Sequence, residues 1–402
     1  MNFERILGNY FLKEPKTINK IAFYITEEYL FDHYINIIQR LKTNSFEIIF
    51  SNKFRQNKYK KLINKIKSYG WNIVFLNDVL YKYKYKILIT HLYLGGDTII
   101  KETLLIKLKL FFIKLLKKIG LNFFKSIKEQ FFQKKLGFYN IKFMYGVDIN
   151  LNDNNKYNHV YDEFFCHGPR DAKIIKKKFK GMIFEMGYPR YDNYFKDIDN
   201  REKKNDLLIK YSCSKKKPTI LWICTTTRSF STILTYEKYI EKLTDKYNVI
   251  LRPHPMEIDP KRKRFRQKVL DIVNSKKFLI SKNPSQKMTE LYLIADYVFC
   301  DYGGSIFSAL YCNKNILLMN HKDIIKDTNI SDTTSVEIRY HLPSINEKDC
   351  NKDFIKTIDN ILSFSENLIK VKNARKIYFS DKNNGNSSML VVNRLNKLLK
   401  KK

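Results

Sequence analysis

The sequence predicts an α/β protein made of two Rossmann-like domains with parallel sheets, and three observations carry that prediction. Strand-like and helix-like segments alternate from the N-terminal part of the chain onward, and the same alternation resumes near Pro218. A chain of 402 residues is also long enough for both units to bury a core of their own.

The elements follow in order. "KIAFYI" (Lys20–Ile25) is β-branched and aromatic enough for a strand, and "EEYLFDHYINIIQRL" repeats its apolar residues at helical spacing. "FEIIFS" is a second strand, "KYKKLINKIKSYG" a helix that stops at Gly70, and "WNIVFL" and "YKILIT" are further strands. Strands separated by helices of this length pair in parallel, because a parallel neighbour needs a long crossover. In the second half "PTILWICT", "NVILRPHP", "KFLISK", "DYVFCDYGG" and "NILLMN" read as strands, with "YEKYIEKLTDKY" and "KMTELYLIA" as intervening helices. The expected division is an N-terminal domain over 1–200, a second domain over 201–375, and a C-terminal helix with a basic tail over 376–402.

Composition limits what the chain can be. Hydrophobic residues at 44% and aromatic residues at 14% exclude a disordered chain. The 75 Lys and Arg against 40 Asp and Glu, a formal charge of +35, favour anionic partners. The lysines are scattered among Asn and Ile, however, so charge alone selects no function. A nucleic-acid-binding protein is disfavoured, since no zinc-finger spacing, RNP-like signature or recognition-helix pattern is present. The six cysteines form no CxxC pair and several lie in apolar runs, which suits reduced, buried thiols. "MNFERILGNYFLKEPK" lacks a continuous apolar run, so a cytoplasmic protein is expected.

Between the halves lies a basic amphipathic insertion at about 104–138. On a helical wheel Lys107, Lys114, Lys118, Lys125 and Lys128 fall on one side, and Leu108, Phe112, Leu115, Ile119 and Phe123 on the other. Such a helix can lie on an anionic membrane surface, its apolar side in the acyl boundary and its cations among headgroups. It can equally cover its own domain with a solvated lysine face. Charges recur too often for a membrane-spanning helix.

The chemistry concentrates in the second half. "NVILRPHP" ends a strand in Arg252 and His254, and ligands of open α/β sheets bind at that edge. Arginine offers a bidentate fork to phosphate oxygens; histidine donates a hydrogen bond or moves a proton near neutral pH. In "CDYGGSIFSALYCNKNILLMN" a strand runs through Asp301, Tyr302, Gly303, Gly304 and Ser305 into a helix. The glycines let backbone approach an anion, and the first helix amides point at it with the favourable end of the dipole.

These stretches carry a resemblance. "GYPRYD" (Gly187–Asp192), "ILWICTTTR", "LRPHP" and "DYGGSIFSALYCNKNILLM" look like the ordered motifs of the CDP-glycerol glycerophosphotransferase family, the teichoic acid and capsule polymer transferases. The similarity covers roughly Tyr161 to Asn320, with a fainter tail at "FSDKNNGNSS". It implies a GT-B fold, two Rossmann-like domains facing a central cleft, with the donor nucleotide in the C-terminal domain and the acceptor in the N-terminal one. Carried over by position, His254 matches the RPH histidine that contacts donor phosphates and Arg252 its neighbour. Asp301 and Tyr302 open the DYSS motif, and Thr225 and Arg228 belong to the Thr- and Arg-bearing strand end.

The departures are specific. Gly303 and Gly304 replace two serines, and Ser308 stands where the family usually has Asp. The double glycine resembles the DSGG turn of the UDP-N-acetylglucosamine 2-epimerase group, which leaves the donor open. Where the family has an HG motif whose histidine serves as acceptor-side base, this chain has "FMYGVDIN", with Tyr145 and Asp148. A neutral tyrosine is a poor base near pH 7. Asp148 and His167, the latter in "FFCHGPRDAK", are the candidate replacements, with a structural role for both as the alternative. His91, which ends the strand "YKILIT", and Arg190 of "GYPRYD" are placed on the acceptor side with Tyr145. His33, His159, His321 and His341 lack such context and are expected on the surface or in packing.

The implied reaction transfers glycerol phosphate or a related polyol phosphate from a CDP-activated donor to a hydroxyl of a cell-surface polymer, with a lipid-linked acceptor and a peripheral position on the inner membrane face as expectations. No cofactor and no metal are expected beyond the nucleotide-activated donor. The rival is a GT-B glycosyltransferase using a nucleotide sugar, and a third reading is a family member that binds without turnover.

Overall fold

The computed structural model describes residues 15–80, 82–92, 94, 133–147, 160–227, 230–263, 265–281, 287–323, 334–351, 353–379 and 384–401. Asp148, Arg228, His159 and most of the amphipathic insertion lie outside these residues.

The first sheet has seven parallel strands: β1 (Lys16–Ile25), β2 (Phe46–Phe50), β3 (Ile73–Phe75), β4 (Tyr83–Thr90), β5 (Gly137–Phe143), β6 (Glu163–Cys166) and β7 (Met182–Glu185). Their order is β3-β2-β1-β4-β5-β6-β7. The second sheet has six, also parallel: β8 (Thr219–Ile223), β9 (Asn248–Arg252), β10 (Leu279–Ile280), β11 (Tyr297–Cys300), β12 (Asn315–Asn320) and β13 (Ser344–Asn346). They run β10-β9-β8-β11-β12-β13. Both orders are doubly wound, reversing direction next to their first strand.

The strands are apolar on both faces because helices cover both. Ile21, Phe23 and Ile25 of β1 share one core with Leu30, Tyr34 and Ile37 of the helix Glu28–Ile38. Ala22 and Tyr24 face a second core with Leu76 and Leu80. The expected strands appear with small shifts at their ends. The amphipathic insertion ends earlier than expected, since Gly137 and Phe138 open β5. A Cβ on Gly137 would sit 2.5 Å from that of Leu88, so only glycine allows β5 to start against β4 there.

The C-terminal segment forms a helix that packs on the first domain. The helix Ser387–Lys400 returns to the first sheet and places Val391, Val392, Leu395 and Leu398 in the core of Phe23 and Ile37. Before it, the helix Ser365–Tyr378 brings Tyr378 and Phe379 into an aromatic seam between the two halves. There Tyr188 and Tyr311 lie 5.7 Å apart, and Tyr311 and Phe379 5.0 Å. Tyr194 donates to the Cys312 carbonyl at 2.9 Å, and Arg170 grips both carboxylate oxygens of Glu337 across the same seam. All six cysteines are free and buried. Among the described residues no helix is long and apolar enough to cross a membrane.

Candidate functional site

Strand register decides what meets at the edge of the second sheet. Ile223 of β8 pairs with Arg252 of β9 on one side and with Cys300 of β11 on the other. The loops after these strands therefore emerge side by side, at the point where the winding reverses. They carry Thr225–Thr227, Pro253–His254 and Asp301–Gly303.

Asp301 is the buried anchor of this edge. Its Oδ1 accepts the amides of Thr225 at 2.9 Å and Tyr302 at 2.7 Å, and its Oδ2 accepts the amide of Thr232 at 3.0 Å. Burial pushes its carboxyl up to about 6, against the opposing pull of those amides. The side chain is expected to bind donor; in the structure both of its oxygens hold loop amides. Glu257, buried on the His254 loop, holds the other end of the β8 loop by accepting Thr227 N and Oγ1, both at 2.6 Å.

The turn itself has the backbone that its glycines permit. Gly303 has φ 92°, where an L side chain is strained, and it precedes the helix Gly304–Tyr311. A Cβ on Gly304 would meet nothing within 4 Å, so there is open space beside the start of this helix. Gly303 N donates to Ser335 Oγ at 3.2 Å, and Arg339 donates to the carbonyls of Asp301 and Ser335 and, at 2.9 Å, to Asn320 Oδ1. Arg339 and Ser335 brace the turn although no motif marks them. Ser308, in place of the family Asp, is buried and bonded to Tyr292 Oη at 2.7 Å.

His254 caps the short helix Pro255–Ile258 by accepting Met256 N at its Nδ1, 3.2 Å away. In the neutral ring the proton then sits on Nε2, making that atom a donor. Arg252 bonds Ser281 Oγ at 2.7 Å and lies near enough to Arg190 of the first domain for their charges to oppose each other. Phe230, at a strained φ of 66°, sets its ring 5.7 Å from both Tyr302 and His321. His321, expected on the surface or in packing, thus packs against Phe230 at this edge.

On the first sheet His91, Tyr145 and His167 follow the consecutive strands β4, β5 and β6. The Tyr145 ring lies 5.7 Å from that of His91 and 6.0 Å from that of His33. His33 is buried, not superficial. Its Nε2 is 3.2 Å from Arg190 Nη1 and must accept, since a guanidinium only donates. Burial first, then Arg190, His167 and His91, holds its pKa well below the ordinary value. His167 donates from Nδ1 to the Gly187 carbonyl at 2.8 Å, and its ring packs 4.2 Å from Tyr188. Burial lowers its pKa to about 4.

"GYPRYD" is a hub for these contacts. Asp192 accepts Ser387 N at 3.1 Å, Ser388 N at 2.7 Å and the Ser388 hydroxyl, while Ser387 Oγ accepts Tyr188 N at 3.1 Å. The faint C-terminal motif is the other half of this clamp. Asn36 holds the Pro189 carbonyl at 2.8 Å. The structure thus brings together Arg252, His254, Thr225 and the Asp301–Ser305 turn at one edge, and His91, Tyr145 and Arg190 at the other, with His33 added. His167 lies beside the second group inside the aromatic seam.

Comparisons with known proteins agree with this architecture. The profile of the family described as CDP-glycerol:poly(glycerophosphate) glycerophosphotransferase matches residues 131–397. The wall teichoic acid polymerase TagF resembles the chain with a TM-score of 0.62 at 15% identity, covering 99% of this chain and 93% of that one. UDP-GlcNAc 2-epimerase from Neisseria meningitidis, bound to UDP-GlcNAc, has a TM-score of 0.57 at 13% identity, covering 94% and 100%. MnaA from S. aureus with UDP has 0.56 at 12%, covering 95% and 97%. These structures share the GT-B fold, and the chain has that fold. A search of curated proteins found no match.

Proposed function

Because the chain belongs to the CDP-glycerol:poly(glycerophosphate) glycerophosphotransferase family, we propose that its two sheet edges divide that reaction between donor and acceptor. The protein is a transferase that moves glycerol phosphate from CDP-glycerol to a polymer. In this reading the edge of the second sheet takes the donor. Arg252, His254 Nε2 and the amides of Gly304 and Ser305 neutralise its diphosphate. Tyr302 and Phe230 supply aromatic faces for the base. The edge of the first sheet takes the acceptor hydroxyl, with Tyr145, His91 and Arg190 around it. Positioning and charge neutralisation suffice for this chemistry, so the reading calls for no cofactor besides the nucleotide-activated donor.

The observation that supports this division is the register at the second sheet, which sets the Thr225, His254 and Gly303 loops around one point. A thermal-shift panel tests it with CMP, CDP, CDP-glycerol, UDP, UDP-N-acetylglucosamine, GDP and a short RNA. At 100 times its dissociation constant a ligand adds about 2.7 kcal/mol to the folded state. Stabilisation by cytidine nucleotides is expected, and it should vanish in His254→Ala. The Gly303–Gly304 pair keeps a glycosyltransferase as the second reading, which a preference for uridine or guanosine nucleotides would select.

The acceptor is further read as lipid-linked, with the enzyme lying on the inner face of the membrane through the basic segment 107–135. The support is the lysine-rich amphipathic pattern of that stretch in the sequence. Replacing Lys107, Lys114, Lys118, Lys125 and Lys128 by Glu should release the protein from phosphatidylserine-containing vesicles. Unchanged co-sedimentation would refute the membrane assignment.

A further inference from the structure

The first sheet reverses its winding between β1 and β4, and the residues that follow these two strands are Thr26 and His91. The crevice beyond such a reversal is where open α/β sheets hold ligands. Thr26 Oγ1 and His91 Nε2 lie 3.2 Å apart, bridging it, and both side chains are buried. The other ring nitrogen of His91, Nδ1, is buried and has no hydrogen-bond partner among the described residues.

Which nitrogen carries the proton follows from cost. A buried N–H without an acceptor is rarer in proteins than a buried acceptor without a donor. The proton therefore sits on Nε2 and is donated to Thr26, and Nδ1 presents a bare lone pair. Burial, reinforced by the charges of Lys142 and Lys53, lowers the ring's pKa to about 4, so the ring is uncharged at neutral pH. The neighbouring histidines are otherwise engaged. His33 Nε2 is taken by Arg190, and His167, whose Nε2 is also buried without a partner among the described residues, packs against Tyr188 in the aromatic seam and away from the reversal.

We propose that His91 is the catalytic base of the transfer, its Nδ1 accepting the proton of the attacking hydroxyl while Thr26 holds the ring in that tautomer. The proposal rests on the transferase reading above. The acceptor O–H bond breaks and its proton passes to Nδ1. The freed oxygen forms a bond to the phosphorus that bears the transferred polyol. The bond from that phosphorus to the bridging oxygen breaks, its electron pair leaving with CMP, and the imidazolium then returns its proton to water.

The test uses the full chain with CDP-glycerol, a poly(glycerol phosphate) acceptor and CMP release as the signal. His91→Asn should lower kcat by about 100-fold or more, the scale of a lost general base, while CDP-glycerol still stabilises the protein as before. Adding Tyr145→His to that variant puts an imidazole on the ring 5.7 Å away, and at least about tenfold of the lost turnover should return. A His91→Asn variant with kcat within about threefold of the unmodified protein overturns the proposal, because base removal costs far more. Parallel loss of donor stabilisation and turnover overturns it as well, by revealing a structural role. Failure of the transferase reading shows separately, as absence of CMP release by the unmodified protein. The same variants are then scored on the donor that it does turn over.

Discussion

Asp192→Ala is expected to destabilise the protein by about 2–4 kcal/mol, the cost of leaving two buried amides and a hydroxyl without their acceptor. The carboxylate takes two backbone amides and a hydroxyl at the start of the helix Ser387–Lys400. Removing it leaves Ser387 N and Ser388 N buried without acceptors and takes a negative charge from a helix N-terminus, where it is favourable. The consequence extends beyond the cap. This helix carries Val391, Leu395 and Leu398 into the core of the first sheet, and Ser387 Oγ holds the Tyr188 amide. Urea denaturation should show a lowered midpoint, and limited proteolysis should cut near residue 386 first. A loss below about 1 kcal/mol would mean the clamp is replaceable by water.

His254→Ala is expected to cut kcat/KM by about 10²–10³, the cost of removing one donor from a developing charge. The reason is the direction of its hydrogen bonds. Nδ1 is committed to Met256 N, so the proton is left on Nε2 at the edge shared with Arg252 and the Gly303 turn. Lost capping of the short helix Pro255–Ile258 should cost no more than about 1 kcal/mol, so the variant should fold. Steady-state CMP release read beside a denaturation curve separates the two effects. Turnover within about threefold of the unmodified protein would remove His254 from the donor site.

Much of the fold was legible because local pattern and tertiary fate coincide in doubly wound sheets. "IAFYI" and "ILLM" are buried on both faces and so are continuously apolar. β5 was harder to see. Its glycine start and the basic residues before it disguised a strand as the end of an amphipathic helix. Arg339, Ser335, Glu257 and Asn36 were invisible for another reason: each is far in sequence from the loop that it braces, and nothing local marks the partner. His33 shows the same limit. It looked like an ordinary helix residue, yet it is buried against Arg190, 157 positions away.

The sequence by itself determined the two α/β units, the edges at which chemistry gathers, and the family through "GYPRYD", "LRPHP" and "DYGG". Those features rest on periodicity and on short motifs, which are local. Only the tertiary structure decided which polar groups serve the scaffold and which face a ligand. Asp301 and Asp192 lie in motifs but turn their oxygens to backbone amides, while His91, in no motif, has its Nδ1 buried at the reversal of the first sheet with no hydrogen-bond partner among the described residues. The physical reason is that a polar side chain's role is set by the partners around it after burial, and those partners come from strands and helices that only folding brings together.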